Sequence, residues 1–342
     1  MKILLDDFQW REKLFPFTHT RHTADIRIGI LTIREKWQML TGEIIYSSSK
    51  DRNDKELTIK ANILPTASNY KKIIERAGSI ETAETKLLEF PWQIFQYNDW
   101  AIRQDFELLT KGRKSQAISN TNRLIGHDIF IEEGAEVEHS ILNTSTGPIY
   151  IGKNAVIMEG NMIRGPFAIC EGAVLKMGSK VYGATTIGPY CMAGGEIKNS
   201  VLFGYSNKAH DGYLGDSVLG EWCNLGAGTC NSNVKNTAGE VKYLTDADSA
   251  GIAAGNKAGL LMGDYSRAAI NTSFNTGTIV GVCCNIFGQY MPGKYIANFS
   301  WGTDRYDFEK AIKDISNWKK MKGKSVSEEE KELLHQLYIS NQ

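Results

Sequence analysis

A sixfold repeat constrains this chain more than any other feature. Counting in sixes from Ile151 gives Ile157, Ile163, Ile169, Leu175, Val181 and Ile187, seven large aliphatic residues in one unbroken register. Four places after each stand Ala155, Asn161, Phe167, Ala173, Ser179, Thr185 and Cys191, most of them small. A helix repeats near 3.6 residues and a strand at 2, so neither element has this period. A parallel β-helix does: each hexad forms one short side, three sides close a coil, and the aliphatic residues stack inside.

Outside the main run the repeat is ragged. Ile125, Ile131 and Val137 are six apart in another register, and ILNTSTGP interrupts before Ile149. The register slips again over 194–206 and resumes at Tyr213, Leu219 and Leu225. Residues 230–259, rich in Gly, Ala, Asn and Asp, break it and read as a loop thrown out from one face. Met262, Ala268, Phe274, Val280 and Ile286 restore it, so about eight or nine coils are expected.

The flanks follow other rules. Residues 2–5 read as a strand, 26–33 as a strand or the start of a helix, 69–76 as a helix, and 90–97 and 100–109 as helical or mixed. The polar stretch LTKGRKSQAISNTN marks a boundary, with the basic cluster at 111–114 as a solvated linker. Phe308, Ile312, Ile315 and Trp318 have helical spacing, and Ser327 with Glu330 forms a capping-box signature. The expected organisation is an α+β chain: a small α/β module over 1–110, a linker over 111–122, a β-helix over 123–302 and a helical cap over 303–342.

Lys+Arg and Asp+Glu both number 39, which gives no electrostatic footprint for nucleic acid. The apolar start ends at Asp6, too short for a signal-peptide core, and no apolar run is long enough to span a bilayer. None of the six cysteines forms a CxxC pair, so they read as reduced, buried thiols of a cytoplasmic protein. Neither nucleic acid nor membrane is an expected partner.

Chemistry concentrates in 206–228. His210 lies at a register slip, so it need not point into the core, and its imidazole suits a general base near neutral pH. A surface or structural histidine fits the position as well. Lys208, Asp211, Tyr213 and Asn224 are polar neighbours in sequence. The block reads Lys208-Ala209-His210-Asp211-Gly212-Tyr213-Leu214-Gly215-Asp216, then Asn224-Leu225-Gly226-Ala227-Gly228-Thr229 and Cys230-Asn231-Ser232-Asn233. It resembles the acetyltransferase half of the GlmU family, bifunctional enzymes that acetylate and then uridylylate glucosamine-1-phosphate. GPFA at 165–168 and Lys198 in GGEIKN extend the likeness. The stretches ADIRIGILTIREKW, GRKSQ, TGPIYIGK and FGYSNKAHDGYLG resemble a Bacteroidetes-type variant of these proteins.

The resemblance implies a left-handed β-helix, acetyl-CoA as co-substrate, an amino-sugar phosphate acceptor, and a homotrimer with sites between subunits. It implies His210 as the catalytic base, Lys198 on the sugar phosphate, and Tyr213 and Asn224 on the sugar. Gly226, Ala227 and Asn233 fall on the acetyl-CoA side. The family has a phosphate-binding arginine after GPFA where this chain has Ile169-Cys170-Glu171, so Arg164 is the candidate substitute.

The family's nucleotidyltransferase half opens with a glycine-rich loop, because backbone N–H groups must come close to phosphates. This chain has ILLDDFQWREKLFPFTHTR there, and its first glycine is Gly29. The expectation is a shortened nucleotidyltransferase-like module. Mg2+ would be needed only if that module is active, with Asp6 and Asp7 as ligands or simply a polar strand end. Arg11, Arg21 and Arg27 are nucleotide contacts or structural ion pairs. No metal is assigned to the β-helix. Three readings follow: an N-acetyltransferase of amino-sugar phosphates, a sugar-1-phosphate nucleotidyltransferase, and a non-catalytic trimeric sugar-nucleotide-binding protein.

Overall fold

The computed structural model describes residues 2–46, 56–76 and 85–340. The sixfold run forms the core of a parallel β-solenoid. Its seven aliphatic residues stack with at most 2% exposure, and all seven residues four places on are fully buried beside them. The coil has three faces. One is a nine-stranded sheet, one a ten-stranded sheet whose last strand is antiparallel, and one a six-stranded sheet continued by Cys230–Asn231 pairing with Ser273–Phe274. This amounts to about ten turns, slightly more than the hexads suggest.

The irregular coils correct three readings. The segment ILNTSTGP is not a pause: Ile141–Asn143 is a strand and Leu142 joins the core. Ile125 pairs with Asn143 on the outside of the coil, and Leu124 is the residue aligned with Leu142. Tyr213 is likewise outward, with Leu214 in the stack. After Ile187 the inward residues are Ala193, Ile197, Leu202, Lys208, Leu214, Leu219 and Leu225. Steps of four and five are interspersed there among steps of six, because some corners turn with fewer residues.

The N-terminal module centres on β1 (Lys2–Asp6), which lies between β2 (Ile45–Tyr46) and β3 (Glu56–Lys60), all parallel. Residues 26–33 form no strand. Arg27 and Thr32 make a single bridge, and α1 (Ile33–Thr41) starts after Thr32 because Thr32 and Glu35 cap each other reciprocally. Among the described residues three further helices follow: α2 (Tyr70–Glu75), α3 (Gln93–Gln96) and α4 (Asn98–Thr110).

This module lies on the nine-stranded face and shares a core with it. Ile3, Phe17, Trp37 and Phe95 belong to one cluster with Val201, Phe203, Val218, Leu261 and Ile279 of the solenoid. That is why strands such as Ile149–Ile151, Phe167–Ile169 and Leu260–Met262 are buried on both sides, whereas Met162–Arg164 on the six-stranded face alternates. Polar bonds fix the contact. Asn98 accepts from the Gly29 N–H at 2.8 Å and donates to the Ala184 carbonyl at 2.9 Å, while Thr186 Oγ1 donates to the Gly29 carbonyl at 2.9 Å. Gly29 has φ +76°, and a Cβ there would lie 2.5 Å from Asp105 Oδ2, so glycine is required. Asp105 accepts from Ile30 N–H at 2.8 Å and Leu31 N–H at 3.0 Å and pairs with buried Lys36.

The tail forms α5 (Phe308–Lys320) and α6 (Glu328–Ser340), and Ser327 and Glu330 bond each other's backbone N–H as the capping box expects. These helices run along one vertical corner of the solenoid. That corner is a column of left-handed residues, Tyr190, Tyr205, Trp222, Tyr265, Cys283 and Phe299, with φ between +56° and +63°. Such backbone costs roughly 1–2 kcal/mol per residue. Ring stacking, at 5.2 Å for Tyr190–Tyr205 and 4.4 Å for Tyr205–Trp222, and packing of Phe308 and Ile315 offset it.

Candidate functional site

The six-stranded face is open to solvent and carries most of the expected residues. Ile163, Val181, Ile197 and Leu214 point inward, so their neighbours point outward. Lys180, Glu196 and Tyr213 form one outward column; Tyr182, Lys198 and Gly215 form the next. The same register sets exposed Arg164 beside Tyr182, two rungs from Lys198, roughly 10 Å by strand spacing. Arg164 and Lys198 thus share a column without touching.

A polar cluster surrounds Asp216. Its carboxylate accepts from Asn199 Nδ2 at 2.7 Å and from Asn233 Nδ2, and Asn233 also reaches the Tyr213 hydroxyl. Burial, with the Asp216 charge added, holds the Tyr213 hydroxyl well above its usual range, so it remains a hydrogen-bond donor. Gly215 leaves room for that ring: a Cβ there would lie 2.2 Å from Tyr213 Oη. Tyr182 Oη donates to Glu196 Oε1 at 2.6 Å, and this bond is the main reason its pKa is pushed up to about 12. Tyr213 and Asn233 are therefore brought together, with Lys198 in the adjoining column. Asp216, Asn199, Tyr182 and Glu196 are members of the cluster that sequence reasoning did not single out.

His210 stands at the corner where the chain enters this face from the ten-stranded one. It is exposed, and its ring makes no hydrogen bond among the described residues. Gly226 and Ala227 occupy the same corner one coil later: the Gly228 N–H donates to the Asp211 carbonyl at 3.0 Å. Close stacking there requires glycine, since a Cβ on Gly226 would lie 2.5 Å from the Ile270 nitrogen. Asn224 is on the ten-stranded face, paired with Asn207 and Arg267. The corner bearing His210 and Ala227 separates it from Tyr213.

Lys208, noted in sequence only as a polar neighbour of His210, occupies an inward stack position. It is 2% exposed, and its ammonium donates to the carbonyls of Gly194, at 2.9 Å, and of His210. It thereby ties down the backbone that carries the imidazole. Burial pushes its pKa down to about 8. A folded-state value below the unfolded one near 10.4 means the unfolded chain binds more protons between about pH 8 and 10.4, so this group makes stability rise with pH there. In urea titrations at pH 7.5, 9 and 10, the wild type gains stability relative to Lys208→Met as pH rises. Parallel curves would refute a buried, charged lysine.

Elsewhere the candidates divide. Arg21 is buried against Asp264 and Arg27 bonds the Ile30 carbonyl, so both are structural. Asp7 accepts from the Thr23 N–H at 3.1 Å and lies 3.3 Å from His22 Nε2, and among the described residues no three metal-type side chains gather. Asp7 is thus already engaged by Thr23 and His22. Arg11 alone lines open space, a cavity of about 590 Å³ with Glu12, His19, Thr245, Tyr295 and Gln336. A second cavity of about 380 Å³, walled by Phe15, Phe90, Trp92 and Ile252, adjoins the same segment. Both lie where the excursion 232–259 meets the N-terminal module, away from His210. All six cysteines are unpaired and five are buried; burial pushes the Cys170 thiol up to about 11 and Cys191 up to about 12. Among the described residues no helix is long and apolar enough to cross a membrane.

Comparison with known proteins adds to this geometry. A sugar nucleotidyl transferase family model matches residues 2–76 and 44–114. A bifunctional sugar-1-phosphate nucleotidylyltransferase/acetyltransferase of Sulfurisphaera tokodaii is 28% identical over 252 residues, 70% of this chain and 52% of that protein. Bifunctional GlmU proteins match as well: that of Anaplasma marginale is 30% identical over 199 residues, 57% of this chain and 38% of its own. The GlmU of Methanocaldococcus jannaschii is 31% identical over 117 residues, 34% and 28% of the two chains. This chain thus spans about half or less of the length of these relatives. Fold and matches together define a nucleotidyltransferase-like module built onto a hexapeptide-type β-solenoid. The chain fits the GlmU-like family.

Proposed function

We propose that the protein is an acetyl-CoA-dependent N-acetyltransferase acting on an amino-sugar phosphate, in UDP-N-acetylglucosamine or related cell-envelope synthesis. The observation that carries this reading is the exposed His210 imidazole, without a hydrogen-bond partner among the described residues, three residues before Tyr213 and on the corner shared with Gly226 and Ala227. Neutral His210 takes a proton from the acceptor ammonium. The freed amine adds to the thioester carbonyl, the adduct nitrogen gives its second proton to water, the C–S bond breaks, and the leaving coenzyme A thiolate takes the first proton back from the imidazolium. Backbone N–H groups at the corner face the negative charge that develops on the carbonyl oxygen. Lys198 and Arg164 hold the phosphate, Tyr213 and Asn224 the sugar, and Asn233 with 226–227 the acetyl-CoA side.

Tyr213 and Asn224 lie on different faces, which is consistent with a homotrimer whose sites span neighbouring subunits, Tyr213 from one and Asn224 from the next. The unpaired cysteines suit a reducing, cytoplasmic setting. The direct test is release of the coenzyme A thiol from acetyl-CoA with glucosamine-1-phosphate. Release is expected, and its absence across a panel of amino sugars and their phosphates would end this reading.

The family-model match over the first 114 residues favours a second reading, sugar-1-phosphate nucleotidyl transfer at the Arg11 cavity. Pyrophosphate release from UTP and a sugar-1-phosphate, with no thiol release, would select it.

A further inference from the structure

Asn207, Asn224, Arg267 and Asn285 form one outward column on the ten-stranded face, since the next residues Leu225, Ala268 and Ile286 are in the core. The tail covers this column. The Trp318 ring of α5 lies 5.4 Å from the Arg267 guanidinium, and Lys322, just past α5, donates to Asn207 Oδ1 at 3.2 Å. Arg267 is consequently only 7% exposed.

Its electrostatics are incomplete. Among the described residues no carboxylate is in ion-pair contact with Arg267, and its Nε and Nη2 have no hydrogen-bond partner. Arg21, equally buried, has Asp264. Asp314 is a carboxylate among the groups acting most strongly on Arg267, and its Oδ2 is taken by the Tyr306 hydroxyl. A guanidinium cannot shed its proton, so its charge persists and burial without a counter-charge carries a large penalty. Nε–H and Nη2–H are the parallel donors along one edge of the guanidinium, the pair that grips two oxygens of one anion. The neighbouring Asn224 side chain is also unpartnered among the described residues.

We propose that this column is an oxyanion site, in which Arg267 Nε and Nη2 hold two oxygens of a phosphate group, Asn224 donates to it, and Lys322 supplies a second positive charge from the tail. The ligand is inorganic phosphate or the phosphate of a small ester. The proposal does not depend on acyl transfer.

Thermal unfolding of the full chain tests it, with inorganic phosphate, glucosamine-1-phosphate, and sodium chloride at matched ionic strength. Phosphate is expected to raise Tm by several degrees over chloride, and Arg267→Gln to abolish the rise. A larger rise with glucosamine-1-phosphate at equal concentration, if Arg267→Gln removes the excess, assigns the site to the ester; an equal Arg267-dependent rise assigns it to phosphate itself. Asn224→Asp provides an internal carboxylate one rung from Arg267, so it should raise Tm without phosphate and remove the phosphate response even if Arg267→Gln does not fold. No phosphate-specific rise in the wild type, or an undiminished rise in Asn224→Asp, would overturn the proposal.

Discussion

If His210 is the base of the proposed acetyl transfer, His210→Ala is expected to lower kcat by about 10²- to 10⁴-fold, the range that loss of a positioned general base produces. It leaves the melting temperature and the oligomeric state unchanged, because the ring is exposed and bonds nothing among the described residues. The contrast with Lys208, two residues earlier, separates chemistry from scaffolding. Lys208→Met removes buried bonds to Gly194 and His210 and acts on stability; His210→Ala acts on turnover alone. Steady-state thiol release and a melting curve on the same preparation decide the matter. An active His210→Ala protein would move the base elsewhere, and an unstable one would make the imidazole structural.

Asp105→Ala destabilises the chain by about 3–5 kcal/mol, as expected when one partner of a buried ion pair is removed. The carboxylate satisfies the Ile30 and Leu31 N–H groups and the Lys36 ammonium, and all three lose their partner together. Urea unfolding with a lowered midpoint and an unchanged slope is the expected signature. Asp105→Leu combined with Lys36→Met should cost less than Asp105→Ala alone, because no buried charge is then left without a partner. A cost below about 1 kcal/mol for the single variant, the range of an exposed pair, would show that water reaches the site.

The sequence disclosed the solenoid wherever an inward position demands an aliphatic side chain, and it became opaque where the corners shorten. Between Leu214 and Leu219 the inward step is five residues, so counting in sixes back from Leu219 leads to Tyr213 rather than Leu214. Lys208 was hidden for a different reason: a charged residue in an aliphatic stack contradicts the pattern used to find the stack. Its position six residues from both Leu202 and Leu214 was the available signal. His210 was found through its resemblance to a motif, since periodicity says only that it need not be inside. Burial of Arg267 could not be read locally. It depends on helix α5, which packs alongside from some fifty residues further on.

The nine-stranded face has a consequence for how such a protein can change. Its outward residues Phe203, Val218, Leu261 and Ile279 are the floor of the N-terminal module's own interior. The first hundred residues are therefore not a cassette that could be cut out, transplanted or replaced by an unrelated domain. An exchange would strip an apolar wall along the solenoid and leave the module without the solenoid side of its core. Divergence in this lineage must proceed by substitution within a fixed architecture, with novelty admitted at the open face, the excursion and the tail.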